Sequence, residues 1–294
     1  MTHETIVRER MAAFLGPAVP IRVLDRLKGG RSNSNYLVDA GGRLYAFRIP
    51  GKNTDVFVDR TIEAKTLHLI APLQIDGNLT LHLDVNTGYK ISAFVPGLPL
   101  SQTDPAAHYA AVSAILHRLH GAGIHGDTDY APFHRLEKYE ALVVRSGLVH
   151  AADYRDIRDR LLAFRPLLEG IQTVFCHNDA QTSNYIKKDD GGLILVDWEF
   201  GGNNDPLYDV ACYGNDDFRF AEGLLPVYLG RTPERSVWLR LCLWRTFQCL
   251  QWHNVALVKA ATGLSQELHL DFQAVAAGFL TKANAMFALA STWR

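Results

Sequence analysis

The 294-residue sequence predicts an α+β chain of two lobes, a small N-terminal lobe on an antiparallel sheet (1–97) and a larger, mainly helical C-terminal lobe (98–294). Three observations carry this. Up to Val95, short apolar runs alternate with Gly, Asn and Pro turns, the pattern of strands joined by hairpins. From Asp104-Pro105 onward, apolar residues recur at helical spacing. Within that helical part, two short apolar runs, 173–176 and 193–196, flank the polar, turn-prone stretch 177–184.

Composition bounds the reading. Hydrophobic residues make up 48% of the chain, which excludes disorder. The net charge of −1 carries no general basic footprint for nucleic acid or an anionic membrane. Cys176, Cys212, Cys242 and Cys249 form no C-x-x-C pair and read as core thiols. The N-terminus mixes charges of both signs without an apolar core, unlike a signal peptide, and no apolar run approaches the ~18 residues that span a bilayer. The expectation is a cytoplasmic protein without membrane insertion.

Taken in order, 2–15 reads as an amphipathic helix with Ile6, Val7, Met11, Phe14 and Leu15 on its apolar side, ended by Gly16-Pro17. A strand over 21–28 leads into Gly29-Gly30-Arg31-Ser32-Asn33. Strands over 36–38 and 44–49 follow, joined by Gly41-Gly42. A helix over 56–70 carries Glu63 and stops at Ala71-Pro72. Strands over 79–83 and 89–95 come next, and the second runs into Pro96-Gly97, a hinge between lobes.

The C-terminal part is a succession of helices. Asp104 and Pro105 fit the N-cap and first position of a helix over 106–119. His117 and His120 on it lack the glutamate of an H-E-x-x-H pair, so a metal is not read there. Further helices are expected over 133–149, 153–169, 207–213, 220–228, 233–261 and 266–290. The longest carries Trp238, Trp244, Phe247 and Trp252. Such a row is usually core, but beside Glu199 it can also form a cage for a quaternary ammonium through cation–π attraction.

The chemistry concentrates in His177-Asn178-Asp179-x-x-x-x-Asn184, followed by Asp197-Trp198-Glu199. Phosphoryl transfer needs a carboxylate to orient or deprotonate an alcohol. It also needs an amide and a second carboxylate to hold magnesium against the phosphates; protein kinases use H-R-D-x-x-x-x-N and a later aspartate. One aspartate alone reads as a turn former. Asp179, Asn184 and Asp197, at these intervals and between two apolar strands, point to phosphoryl transfer. Asp179 takes the role of base, and Asn184 and Asp197 that of oxygen ligands for Mg²⁺. His177 reads as a brace for the catalytic loop. In that context Gly30, Ser32 and Asn33 become a lid whose backbone N–H groups approach phosphate. Arg48 on the third strand becomes a phosphate contact paired with Glu63, and backbone near Val95 meets adenine.

These residues resemble the choline/ethanolamine kinases, within the aminoglycoside-phosphotransferase-like kinases. The matching pieces are 29–33, Arg48-Ile49-Pro50-Gly51, Arg60 and Glu63, Phe94-Val95-Pro96-Gly97, 177–184 and Asp197-Trp198-Glu199-Phe200 leading to Asp209; the Arg48–Gly51 form is like the bacterial choline kinases. The resemblance implies a bilobal protein-kinase-like fold, ATP as donor and Mg²⁺ as cofactor. It further implies that Gln181 and Glu199 border the acceptor, with Asp209 bracing the loop. Choline kinases enclose the ammonium with a W-x-x-W pair. The nearest match here is Trp244-Arg-Thr-Phe247, so Trp244, Phe247 and Trp252 are the aromatic candidates. The implied partners are ATP and a small alcohol, choline or ethanolamine first. Thiamine, an aminoglycoside or another metabolite alcohol such as homoserine fits the same site, and a non-catalytic pseudokinase-like module is the non-enzymatic alternative.

Overall fold

The computed structural model describes residues 1–27 and 33–293, the side chain of Glu267 aside. The chain is α+β, as predicted, and divides into two compact units, 1–98 with 186–199, and 99–185 with 200–294.

The first unit opens with α1 (His3–Leu15), capped by the Thr2 side chain, and continues through β1 (Ile21–Leu27), β2 (Asn33–Ala40) and β3 (Arg43–Pro50). Helix α2 (Arg60–Ile70) begins where Asp59 accepts from Thr61 N and Ile62 N, four residues after the expected start. Strands β4 (Thr80–Leu83), β5 (Lys90–Ala93) and β6 (Gly97–Pro99) follow. The five-stranded sheet runs β1-β2-β3-β5-β4, and each neighbouring pair is antiparallel. Its register sets Arg48 of β3 opposite Lys90 of β5, with Asn35 of β2 on the other side. The apolar face of α1, through Val7 and Met11, packs with Val38, Phe47, Ile49 and Ile91.

In the second unit, α3 (Tyr109–His120), α4 (Pro132–Arg145), α5 (Ala152–Leu162) and α6 (Arg165–Leu168) precede β7 (Val174–Cys176). The chain then contributes 186–199 to the first unit, with β8 (Tyr185–Lys188) and β9 (Leu193–Leu195), which join β6 in a three-stranded sheet, order β6-β8-β9. A Cβ at Gly97 would collide with the Lys187 carbonyl, so β6 and β8 run together only because residue 97 has no side chain. Strand β10 (Gly202–Asn204) returns the chain beside β7, antiparallel, and α7 (Pro206–Tyr213), α8 (Phe218–Leu229), α9 (Arg235–Ala261), α10 (Leu264–Leu268) and α11 (Phe272–Ser291) complete the helices.

Two expected helices are split. The 153–169 segment breaks at Ala163-Phe164 because Pro166 opens a new helix. The 266–290 segment breaks where His269 is left-handed and Asp271 caps α11 from its side chain. Strands β6 and β10, three residues each, were too short to announce themselves as periodic runs.

Contrary to the sequence expectation, α11 is long and apolar enough to cross a membrane by length and composition. Its buried residues Phe272, Ala276, Leu280, Ala283, Phe287 and Ala290 recur every three or four positions, a single stripe, and the helix packs against α9. All four cysteines are free and buried, as expected of core thiols.

Candidate active site

In the first unit the site is a buried ion cluster. Arg48 grips Glu63 with both terminal nitrogens, each 2.8 Å from a carboxylate oxygen. Lys90, across the register from Arg48, adds a contact to Glu63 at 3.1 Å. Arg60, one turn before Glu63 on α2, shares its NH1 between Glu63 Oε2 (2.7 Å) and Glu199 Oε2 (2.8 Å). Arg48 NH1 lies 3.6 Å from Glu199 and 3.8 Å from Asp197. Three cations thus face three carboxylates. Glu63 is 0% exposed; burial alone would raise its pKa, but Lys90, Arg48 and Arg60 overcome this and hold it far below the usual carboxylate range. Burial pushes Glu199 the other way, helped by the Asp197 carboxylate and opposed by Arg48 and Arg60.

Asp197 is the outward member of this group. Its side chain is 39% exposed, and its backbone is left-handed, φ 70°. That conformation is uncommon for a residue with a side chain. Trp198, beside it, is buried and donates its indole N–H to Leu195 O at 2.8 Å. Asn33 begins β2, is buried, and its Oδ1 has no partner among the described residues. Val95 follows β5 and is half-buried. Gly30 and Ser32 lie outside the described residues.

In the second unit the site is the loop after β7. Asp209, in the first turn of α7, accepts from His177 N (2.8 Å) and Asn178 N (2.7 Å), one per oxygen, and His120 Nε2 lies 3.1 Å from it. His120, Cys176 and Asp209 bring one ligand atom each within 4.8 Å, but the Asp209 oxygens are already occupied by these loop contacts. Asn178 is left-handed, φ 64°, a conformation asparagine tolerates. Its amide donates to the carbonyls of Cys176, Phe200 and Gly202 and its oxygen accepts from Asn204, tying the loop to β10 and its approach.

The loop so fixed presents Asp179, which is 8% exposed. Its carboxylate accepts from Gln181 Nε2 (3.1 and 3.3 Å) and Asn184 Nδ2 (3.1 Å). Asn184, at the end of a 3₁₀ turn, also donates to Asp179 O at 2.8 Å. With Nδ2 directed at Asp179, the Oδ1 of Asn184 is the atom left for a hard cation. His177 is fully buried, and its Nδ1 accepts from Asp179 N at 3.2 Å, so that nitrogen carries no proton and the ring supports the loop.

Of the aromatic candidates, Trp244 and Phe247 are 1% and 0% exposed and pack with Phe133 and Tyr208. Trp244 donates to Asp205 at 2.6 Å, the residue that caps α7. Trp252 is half-buried, edge-on to Phe200 at 5.8 Å. The guanidinium of Arg135 lies over Tyr130 (4.4 Å) and Phe200 (5.7 Å), so the protein supplies its own cation to that aromatic group.

Sequence reasoning named Arg60 and Asn178 among the family-matching residues without giving them a role, and gave no site role to Lys90 or Asn204. Arg60 had a signal, the i, i+3 spacing to Glu63; the others depend on strand register and on one left-handed residue, neither of which leaves a periodic trace.

Protein LicA of Haemophilus influenzae is 29% identical over 192 residues, 62% of this chain and 55% of the relative, so the match spans about half of that protein. The crystal structure of choline kinase LicA from Streptococcus pneumoniae superposes with a TM-score of 0.80 at 23% identity, over 98% of this chain and 99% of the other. A structure of LicA in complex with AMP gives the same TM-score, 0.80, at 22% identity, over 99% and 100%. The phosphotransferase enzyme family matches residues 23–241, about three quarters of the sequence. The chain belongs to the phosphotransferase enzyme family.

Proposed function

We propose that this protein is an ATP-dependent kinase that phosphorylates the hydroxyl of a small amino alcohol, choline or ethanolamine first. The observation that carries the reading is the Asp179 carboxylate, held by two amide donors on a loop clamped by Asp209. Family membership and the likeness to choline kinase LicA, including its AMP complex, support the same chemistry.

Asp179 accepts the proton of the acceptor hydroxyl or aligns its lone pair for attack on the γ-phosphorus. The amides of Gln181 and Asn184 keep the carboxylate in one rotamer, so orientation costs little at the moment of reaction. The donor residues are Arg48, fixed by Glu63, with Asn33, Gly30, Ser32 and the backbone at Val95. Asn184 Oδ1 and the outward carboxylate of Asp197 are the oxygen donors that suit Mg²⁺. When bound, that ion neutralises phosphate charge. Gln181 and Trp252 are the half-exposed acceptor candidates; the other candidates, Trp244, Phe247 and Glu199, are buried.

A second reading keeps the chemistry and changes the acceptor. The burial of Trp244 and Phe247 takes two rings from an ammonium cage, and Arg135 occupies aromatic faces nearby. Both favour a less cationic alcohol such as homoserine. ADP release with ATP–Mg²⁺ across choline, ethanolamine, thiamine, homoserine and kanamycin tests both. Highest turnover with choline or ethanolamine supports the first reading; highest with homoserine supports the second. Release no faster than with water for all five overturns the kinase reading for these alcohols and points to a pseudokinase-like module.

A further inference from the structure

Arg245 interrupts the Trp244–Phe247 pair, and its side chain is 2% exposed. Its partners explain the burial. NH2 donates to Asn215 Oδ1 at 2.8 Å and NH1 to Gln248 Oε1 at 2.7 Å. Asn215 Nδ2 donates to Gln181 Oε1 at 2.7 Å, and Gln181 Nε2 donates to the Asp179 carboxylate. The chain Arg245, Asn215, Gln181, Asp179 therefore runs in one direction, donor to acceptor, through the helical unit.

That direction is set at the arginine. A guanidinium has five N–H groups and no acceptor, whereas an amide can present either end. Because Arg245 only donates, Asn215 must turn its oxygen to it and its NH₂ to Gln181. Gln181 must then turn its oxygen to Asn215 and its NH₂ to Asp179. Without Arg245, both amides lose the reason to prefer that orientation. A flipped Gln181 would set a carbonyl against the carboxylate, repelling it. Gln248 anchors the guanidinium from the other side, since its own Nε2 is spent on Tyr208 O (2.9 Å) and Cys212 Sγ (3.2 Å). Lys282 further fixes the chain at Asn215 by donating to its backbone carbonyl at 3.0 Å.

We infer that Arg245 and Asn215 are positioning residues: they fix the orientation of the Gln181 amide so that it donates to Asp179, which rests on the reading of Asp179 as the base. Neither residue is required to touch substrate. Their effect on catalysis passes through the placement of one carboxylate.

The decisive variant is Asn215→Asp. It keeps oxygens for Arg245 and nearly the same shape but has no donor for Gln181 Oε1. With ATP–Mg²⁺ and choline, kcat is expected to fall about tenfold or more while KM for ATP moves less than about twofold. In a Gln181→Leu background the same change should alter kcat less than about twofold, because the link it breaks is gone. Equal losses in both backgrounds overturn the inference. The side-chain amide resonances of Gln181, identified by their loss in Gln181→Leu, give a readout independent of turnover. They should shift in Asn215→Asp and Arg245→Met and stay near the wild-type position in Arg245→Lys, which keeps a charged donor. If they are unmoved by Asn215→Asp, the inference fails whatever the activity. If they shift but Asp179→Ala retains turnover, the orientation chain stands and the base assignment fails.

Discussion

Arg60 and Glu199 lie 139 positions apart and meet through one hydrogen bond, NH1 to Oε2 at 2.8 Å, with both side chains at most 7% exposed. The same nitrogen reaches Glu63 at 2.7 Å. One guanidinium therefore ties the start of α2 to the segment that carries Asp197. Glu199, expected from the resemblance to border the acceptor, spends its charge inside the protein.

Removing that guanidinium leaves two buried carboxylates short of a cation. Arg60→Met should destabilise the chain by about 3–5 kcal/mol, the usual cost of breaking a buried pair from one side. Urea unfolding measures it, with Arg60→Lys recovering part of the loss. A change below about 1 kcal/mol would mean that Arg48, 3.6 Å from Glu199, already compensates.

The Glu63 carboxylate makes the cluster sensitive to acid in a specific direction. Its folded pKa lies below the ordinary 4.5, so it contributes stability that is fully present above that value. The contribution is lost as pH falls below the unfolded value toward the folded one, because only the unfolded state takes up the proton easily. The stability difference between the wild type and Glu63→Gln should thus be flat from neutral pH down to the ordinary carboxylate range and shrink below it. A difference that shrinks between pH 8 and 6 would contradict the assignment.

Asp197 is more exposed than Glu63 or Glu199, and its nearest cation, Arg48, stands 3.8 Å away. At that distance and exposure an ion pair contributes little, so the carboxylate is not needed for folding. Asp197→Asn, whose side chain tolerates the left-handed backbone, should leave the unfolding midpoint within experimental error and sharply weaken the response of turnover to Mg²⁺. A normal Mg²⁺ titration in the variant would remove Asp197 from the metal assignment.

Much of the fold was legible because it rests on local signals. Asp104 and Asp205 cap helical turns where the sequence sets an acid before a proline and an apolar run, whereas Asp59 and Asp271 cap helices from inside segments expected to be helical from 56 and 266. The Asp179–Asn184 interval was legible because four intervening residues in a loop between strands keep the two side chains in reach, and they are hydrogen-bonded. What could not be read was long-range pairing. No pattern in the sequence announces that Arg60 finds Glu199, or that the Trp244 indole is taken by Asp205 and so buried. Aromatic spacing on α9 is the same whether a ring faces core or cavity. Only the neighbours decide, and they come from α4 and α7.

The last prediction concerns Asp179 itself. Its carboxylate accepts from the amide NH₂ groups of Gln181 and Asn184, so Asp179→Asn is not a silent isostere: its new NH₂ would face an NH₂. Asp179→Ala removes the carboxylate without that conflict and is the cleaner test. Turnover should fall by about 10²–10⁴-fold, the range spanned by a positioned general base. ATP binding should persist, because Arg48 and Glu63 do not depend on Asp179 for their own pairing. Equilibrium binding of a fluorescent ATP analogue, measured beside ADP release, separates the two effects. Unchanged turnover would show that another group takes the hydroxyl proton, whereas lost nucleotide binding would assign Asp179 to the donor side of the reaction.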